Sequence, residues 1–212
     1  MNFDRIAPHY RWLETLVFGK RLQQARTAFI RQIETPRHVL VVGEGDGRFL
    51  AEFVRAHPGA EVECVEASAQ MIELARRREG LATVRFRQAD LRESKVESET
   101  FDLIVTHFFL DCFDQKELPV VIERLAQSAS SKARWLIADF RAPSRGLARW
   151  WAQFLIGGMY FFFGCVAGLQ TRRLVDYRPL LRRCGFELDR AISPNEIIFS
   201  ELWERRAPAS SA

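Results

Sequence analysis

Residues 39–49 read VLVVGEGDGRF, an apolar run followed by three alternating glycines. The run, which begins at His38, is typical of a parallel strand that is buried on both faces. Glycines directly after such a strand let the backbone turn tightly and let a ligand approach without meeting a Cβ atom. The start of the following helix offers free N–H groups. The segment therefore predicts a strand, a turn and a helix, with a ligand site at the turn.

The alternation of strand and helix continues along the chain. Strands are predicted at 38–42, 61–65, 83–86, 101–106 and 134–140, and helices at 47–56, after Ser68, at 118–126 and at 174–183. Repeated βα units with short connections predict an α/β fold, in which helices cover both faces of a parallel sheet. The last two predicted strands, 186–192 and 196–204, are separated by too few residues for a crossover helix, so they must be antiparallel. The first 35 residues are predicted to be helical, since apolar residues recur there at helical spacing.

Acidic residues follow the second and third strands. Glu66 comes roughly 20 residues after the glycines, where a carboxylate can accept both hydrogen bonds of a ribose diol. Asp90 follows the third strand, where it can accept from an adenine amino group. The alternatives are a surface carboxylate for Glu66 and an ordinary turn residue for Asp90.

Five motifs in this order resemble the class I S-adenosylmethionine (SAM) dependent methyltransferases. They are VLVVGEGDGRF (39–49), VECVEASAQMIELAR (62–76), QADL (88–91), FDLIVTHFFLDCF (101–113) and WLIADF (135–140). The opening FDRIAPHYRWLE (3–14) is similar to the N-terminal segment of the ubiquinone/menaquinone-biosynthesis type, with a methyltransferase type 11/12 domain. The resemblance covers roughly residues 3–205. It implies a doubly wound, Rossmann-like seven-stranded sheet, mostly parallel with an antiparallel C-terminal strand.

The resemblance also implies SAM as cofactor, S-adenosylhomocysteine as product, and a role for each matching position. It implies that the methionine and ribose lie against Gly43, Gly45 and Gly47, which leave room for them, and that Glu66 holds the ribose. The adenine pocket is implied to consist of Ala67, Met71, Asp90 and Leu91. Contacts with the methionyl part are implied for Tyr10, Thr106 and His107.

Two positions depart from the family pattern. The acidic residue usual just inside the first strand is Val41, and the second position of the glycine loop is Glu44. The Glu44 carboxylate either meets the methionine ammonium or caps the turn. The alternative function is an NAD(P)-dependent oxidoreductase, whose G-x-G-x-x-G fingerprint requires glycine where this chain has Arg48. A SAM-fold protein that binds a ligand without turnover is the non-enzyme alternative.

Methyl transfer from a sulfonium is an in-line displacement with an activated leaving group, so a base is needed only where the nucleophile carries a proton. The candidate bases are His107 and Asp111 on the loop after the fourth strand, with His9 as a further candidate. His107 has the pKa range of a base. A histidine that only lines the pocket is the alternative for this position.

Residues 150–170 form 21 residues without a formal charge, rich in Trp and Phe. We expect 141–173 to form an apolar helical roof over the acceptor pocket, which predicts a hydrophobic, quinone-like or lipid-like acceptor. A peripheral membrane contact through 150–170 and a homodimer remain alternatives for this surface. A transmembrane helix is disfavoured, since the chain must return to the same sheet.

Composition limits the function further. The chain has 212 residues, a net charge of +4 and four scattered cysteines with no C-x-x-C pair, so it predicts a reducing compartment and no metal site. Its basic residues are too dispersed to indicate nucleic-acid binding. The start lacks the apolar core of a secretory signal, so we expect a cytoplasmic protein or one peripheral on the inner face of the membrane. The predicted domains are a helical cap (1–35), a methyltransferase domain (36–206) and a flexible tail (207–212).

Overall fold

The computed structural model describes residues 20–94, 96, 100–141, 175–193 and 197–206. The helices are α1 (Arg21–Thr27), α2 (Arg48–Ala56), α3 (Ala69–Arg76), α4 (Glu117–Ser128) and α5 (Arg178–Arg183). The strands are β1 (His38–Val42), β2 (Glu61–Glu66), β3 (Arg85–Gln88), β4 (Phe101–His107), β5 (Ala129–Phe140), β6 (Phe186–Ile192) and β7 (Ile198–Arg205). The predictions on His9, Tyr10, the tail and residues 142–173 of the roof lie outside the described residues.

Within these residues, seven strands form one sheet in the order β3-β2-β1-β4-β5-β7-β6. β1 to β5 run parallel to one another, whereas β7 is antiparallel to both β5 and β6. The predicted α/β fold, with its antiparallel last strand, is confirmed. After β1 the chain places β2 and β3 on one side of it, and β4 and β5 then lie on its other side. The direction in which strands are added therefore reverses between β1 and β4. In open α/β sheets such a switch point, at the carboxyl ends of the strands, is where ligands bind.

The sheet is covered on both faces, because consecutive residues of its inner strands are buried. On one face α4 and α5 pack over Trp135 and Trp203, and both of these side chains are fully buried. On the other face α2 packs with the residues after α1, and Phe49 and Phe53 fill the layer against the sheet. The two layers fix β1 and β4 from both sides, which makes the turns at their carboxyl ends a rigid frame.

Four elements differ from the sequence predictions. The helix predicted at 174–183 begins at Arg178. The N-terminal helix ends at Thr27, because i→i−3 hydrogen bonds replace helical ones over the following residues. β3 starts two residues late and pairs with β2 through its backbone, and Arg85 and Arg87 add ion pairs to Glu63. β5 starts at Ala129, directly after α4, since Ala129 pairs with the first residue of β4.

Candidate cofactor site

The turn after β1 depends on three glycines in the left-handed region. Gly43, Gly45 and Gly47 have φ angles of 66°, 74° and 81°. A Cβ atom at Gly43 would overlap the ring of Phe109, and one at Gly47 would lie 2.9 Å from the Cβ of Ala75. A Cβ atom at Gly45 would meet nothing within 4 Å. Gly43 and Gly47 are therefore required by packing, and Gly45 is the glycine that faces open space.

Glu66 lies next to this turn, at the end of β2. Its buried carboxylate accepts a hydrogen bond from the Gly45 N–H at 3.1 Å and another from the Ser68 N–H at 3.0 Å. Each of these bonds goes to a different oxygen of the carboxylate. The carboxylate is thus fixed in orientation beside the glycine turn.

Glu44 caps α2. Its Oε1 accepts hydrogen bonds from the N–H groups of Phe49 at 2.9 Å and Leu50 at 3.3 Å, which have no partner within the helix. Burial raises the pKa of Glu44 to about 8, although the charge of Arg26 opposes the shift. Capping is therefore the alternative that the hydrogen bonds support, and a contact with the methionine ammonium stays a prediction.

Thr106 and His107 point to opposite faces of the sheet. The Thr106 hydroxyl is fully buried and accepts a hydrogen bond from the Trp135 Nε1–H at 2.9 Å. The His107 ring packs edge-on against Phe49 at 4.6 Å, and within the described residues its Nδ1 has no hydrogen-bond partner. Burial, and secondly the charge of Arg26, hold the pKa of His107 well below its ordinary value. The imidazole is therefore neutral at physiological pH.

The predicted adenine side is arranged around the ends of β2 and β3. Met71 and Leu91 are buried, and Ala67 is half-buried beside Glu66. The Asp90 carboxylate accepts hydrogen bonds from the Arg92 backbone and guanidinium, which hold its pKa below the usual range. Asp90 is thus ionised and anchored by its neighbour in the turn.

An aromatic rim, defined here as Phe108, Phe109, Phe113 and Phe140, follows β4 and ends β5. The rings of Phe108 and Phe140 lie 4.8 Å apart, and those of Phe109 and Phe113 lie 4.9 Å apart. Phe108 has a φ angle of 51°, which is rare for a residue with a side chain and costs about 1–3 kcal/mol. Its N–H donates to the Ala138 carbonyl at 2.7 Å, so pairing with β5 holds this conformation.

Asp111, the second candidate base, is buried beside Asp139 at the end of β5. The backbone N–H of Asp111 donates to the Asp139 carboxyl. Burial, and secondly the charge of Asp111, raise the pKa of Asp139 well above its usual range. The two carboxyl groups therefore form a buried pair in which Asp139 is shifted toward its protonated form.

Glu201 on β7 is fully buried on the same side of the sheet. It accepts hydrogen bonds from the Tyr177 hydroxyl and the Trp203 Nε1–H, each at 2.9 Å, and from the Arg178 Nε–H at 3.0 Å. This network ties the segment that enters α5 to the centre of the sheet. Its groups are mutually satisfied, so we treat it as structural support for the site.

Sequence reasoning missed two charged residues at the site. Arg26 is buried and lies with its guanidinium 5.1 Å from the centre of the Phe108 ring. The sequence could have indicated its burial, because Arg26 lies four residues after Leu22 and three before Phe29, on the apolar face that helical spacing predicts. Asp139 was signalled by its place at the carboxyl end of a predicted parallel strand. Nowhere in the described ranges do three His, Cys, Asp or Glu side chains form a group that fits a metal ion.

Residues 39–132 match the family model described as a methyltransferase domain. No curated protein matches the sequence significantly. A SAM-dependent methyltransferase from Mesorhizobium loti has 17% identity, a TM-score of 0.66, and coverage of 87% of this chain and 100% of its own. The Burkholderia thailandensis 1,6-didemethyltoxoflavin-N1-methyltransferase, solved with 1,6-didemethyltoxoflavin and S-adenosylhomocysteine, has 16% identity, a TM-score of 0.67, and coverage of 95% and 85%. The mitomycin 7-O-methyltransferase MmcR has 16% identity, a TM-score of 0.69 and coverage of 98% of this chain, which spans only 61% of that enzyme. These similarities show a shared Rossmann-like fold.

Proposed function

We propose that the protein transfers a methyl group from SAM to a hydrophobic small molecule, on the premise that residues 39–132 match the family model of a methyltransferase domain. The observation that carries the proposal is the glycine turn at the switch point of the sheet, with the Glu66 carboxylate fixed beside it. The same turn lacks the third glycine of the dinucleotide fingerprint, where Arg48 begins α2. This difference disfavours the oxidoreductase alternative.

The described residues fit the cofactor at three points. Gly45 leaves open space where a Cβ atom would otherwise stand. Glu66 presents a buried carboxylate for the ribose diol. His107 contributes a neutral Nδ1 that can accept a hydrogen bond. When bound, the cofactor supplies a methyl group that its sulfonium has already activated, so the residues of the chain need only align the acceptor and exclude water.

The proposed acceptor is hydrophobic, of a quinone-like or lipid-like kind. The aromatic rim supports this assignment, because it sets apolar rings at the carboxyl ends of β4 and β5. The sequence of residues 150–170, which has no formal charge, also supports a hydrophobic acceptor. Flat aromatic acceptors would stack on such rings, which favours a ring compound over a sugar or a nucleotide.

We propose that Asp111 removes the proton of the acceptor when the nucleophile is a phenol or an activated ring carbon. Asp111 lies between Phe109 and Phe113 of the aromatic rim, and its charge raises the pKa of the neighbouring Asp139 carboxyl, so that Asp139 holds the proton and the Asp111 carboxylate is the member of the pair that serves as base. His107 is the other candidate from the sequence. Its ring is buried against Phe49 on the opposite face, so we assign it to the methionyl end of the cofactor.

The test uses SAM with a labelled methyl group and a panel of hydroquinones, phenols and lipid extract. We expect label in the organic phase, and a kcat about 100-fold lower for phenolic acceptors in Asp111→Asn. Asp189→Asn, exposed on β6, is the matched control and should keep full turnover. A His107→Ala variant with unchanged cofactor affinity would contradict the methionyl role.

Calorimetry separates the alternatives. Binding of S-adenosylhomocysteine but not NADH supports the proposal, and the reverse contradicts it. Binding of S-adenosylhomocysteine with no transfer to any acceptor would favour the non-catalytic alternative.

Peripheral membrane contact through residues 150–170, and a homodimer, are proposed as further properties of the apolar segment. Of the helices in the described ranges, none has the length and apolar character that crossing a bilayer requires. Flotation with vesicles of mixed neutral and anionic lipids tests the membrane contact, and the absence of protein in the lipid fraction would contradict it. Light scattering tests the dimer.

A further inference from the structure

Two arginines meet beside the carboxyl end of β5. Arg141 directly follows this strand, and its backbone N–H donates to the Ile197 carbonyl, so it continues the pairing of β5 toward the start of β7. Arg178 begins α5. Their guanidinium carbons lie 4.6 Å and 5.7 Å from the centre of the Phe199 ring, and both approach the same oxygen, Oε1, of Glu201. Two cations from distant parts of the chain are therefore held at one aromatic ring and one carboxylate.

The Glu201 carboxylate is satisfied without Arg141. Its Oε1 accepts from the Nε–H and Nη2–H of Arg178, and its Oε2 accepts from the Tyr177 hydroxyl and the Trp203 Nε1–H. Four hydrogen bonds match the capacity of a carboxylate. The Nη2 atom of Arg141 lies 3.8 Å from Oε1, which is beyond hydrogen-bond distance, so this contact is an electrostatic attraction alone. One carboxylate thus faces two guanidinium groups, and the arrangement keeps an excess of positive charge.

Arg141 has the donors that a second anion needs. Its side chain is 44% exposed, and within the described part of the chain its guanidinium donates no hydrogen bond. The N–H groups of arginine form a planar fork that matches the two oxygens of a carboxylate. Arg178 uses Nε and Nη2 on Glu201, which leaves its Nη1 outside these bonds. An anion beside both cations would also relieve their mutual repulsion.

This pair of cations lies on the same face of the sheet as the proposed base. Alternate residues of a strand share a face, so Arg141 and Asp139 lie on one side of β5, about 6.6 Å apart along the chain. Phe199 pairs with Asp139 across the sheet and occupies the same face. Asp111 donates its backbone N–H to the Asp139 carboxyl and so lies at the far end of this span. A benzene ring with substituents at opposite ends fits between a base and a cation that are separated in this way.

We propose that Arg141, with Arg178 beside it, binds a carboxylate of the acceptor, and that the acceptor is an aromatic acid whose hydroxyl group lies at the other end of the ring. The proposal rests on the proposed function and deepens it, because it names the class of molecule that receives the methyl group. The phenolic oxygen forms a bond to the methyl carbon as the bond from that carbon to sulfur breaks, and its electron pair stays on sulfur. The phenolic proton goes to Asp111, and the carboxylate is unchanged by the reaction.

The test measures the binding of matched acids and amides by calorimetry, with S-adenosylhomocysteine present. The probes are para-hydroxybenzoate and a hydroxynaphthoate with its two groups at opposite ends, each compared with its own carboxamide, which keeps the shape and lacks the charge. For the pair that binds more tightly, we expect the unmodified protein to prefer the acid about tenfold to a hundredfold, as for a hydrogen bond to a charged group. In Arg141→Met this preference should fall about tenfold, because methionine keeps an apolar contact with Phe199 but has no donors.

Arg190→Met is the matched control. The Arg190 side chain is 45% exposed, pairs with an adjacent acid and lies over the ring of Phe29, in the layer that covers the opposite face of the sheet. This variant should keep the acid preference of the unmodified protein. Arg141→Lys keeps the charge but loses the planar fork of donors, so its preference should lie between those of the unmodified protein and Arg141→Met.

Two results would overturn the inference while leaving the proposed function intact. One is that the unmodified protein, with S-adenosylhomocysteine bound, shows no preference for either acid or binds neither of them. The other is an acid preference that is unchanged in both Arg141 variants. If Arg141→Met also ceased to float with anionic vesicles while its acid preference was unchanged, the arginine would belong to a membrane contact instead. Failure of the unmodified protein to bind S-adenosylhomocysteine would refute the proposed function itself.

Discussion

Gly45 and Gly47 offer a matched pair of substitutions that separates packing from ligand binding. Both residues have a left-handed backbone, so alanine at either position should cost about 1–2 kcal/mol from conformation alone. At Gly47 the new Cβ would also lie 2.9 Å from the Cβ and 3.0 Å from the Cα of Ala75. The Cα belongs to α3, which is anchored by its own cap, so relief requires a shift of the helix.

Overpacking of this kind costs about 1–3 kcal/mol. Gly47→Ala should therefore lower the free energy of unfolding by about 2–5 kcal/mol, and Gly45→Ala by about 1–2 kcal/mol. A loss at the upper end would be a large part of the stability of an ordinary domain, about 5–15 kcal/mol. The order should reverse for cofactor affinity, because the Cβ of Gly45→Ala projects into the open space beside Glu66.

Urea denaturation measures the first quantity, and calorimetry with S-adenosylhomocysteine measures the second. Equal losses of stability in the two variants would refute the packing argument. A Gly45→Ala variant with full affinity would refute the assignment of the open space to the ligand.

Three further predictions concern single contacts. Ser68→Ala should lower the free energy of unfolding, measured by urea denaturation, by about 1 kcal/mol, because the Met71 N–H loses its capping oxygen. The affinity for S-adenosylhomocysteine should stay within about twofold, since the backbone hydrogen bond from Ser68 to Glu66 is kept. Thr106→Val should cost about 1–3 kcal/mol by leaving the buried Trp135 Nε1–H without its acceptor, and a thermal melt that matches the unmodified protein would contradict this. The raised pKa of Glu44, about 8, lies above its unfolded value, so its contribution to stability is fully present below about pH 4.5 and is lost as the pH rises toward 8. Glu44→Gln should therefore gain stability relative to the unmodified protein between pH 5 and pH 8, and urea midpoints that run parallel across this range would count against the shift.

The central part of the fold could be predicted because its signals are local. β1 is an uninterrupted apolar run, and the glycines after it allow the left-handed backbone that a tight turn requires. Ser68 was predicted to cap α3 and does so, with its Oγ accepting from the Met71 N–H. The hairpin of β6 and β7 followed from a connection too short for a helix. In each case neighbouring residues determine the geometry.

The remaining features depend on contacts between distant parts of the chain. Ala129 starts β5 because it pairs with Phe101, and no periodicity in its own neighbourhood indicates this. β3 pairs with β2 through its backbone and through two ion pairs to Glu63, and a search for apolar alternation does not detect charged positions of this kind. The Asp111–Asp139 pair combines the ends of two strands, and the contacts of Arg26 bring α1 to the ends of β1 and β4. Sequence periodicity predicts which face a residue occupies, but not which residues of other elements share its environment.

The place of β7 constrains how the sheet can be completed. β6 is synthesised before β7, and among the strands that the structure describes it pairs with β7 alone, which itself joins β5. Until β7 has emerged, β6 therefore lacks its partner in the described sheet, and the edge of β5 that β7 will cover is unpaired. We therefore expect the two to dock together as a preformed ribbon late in maturation, and a nascent chain halted before residue 198 to expose β5 to chaperones and to other unfinished chains.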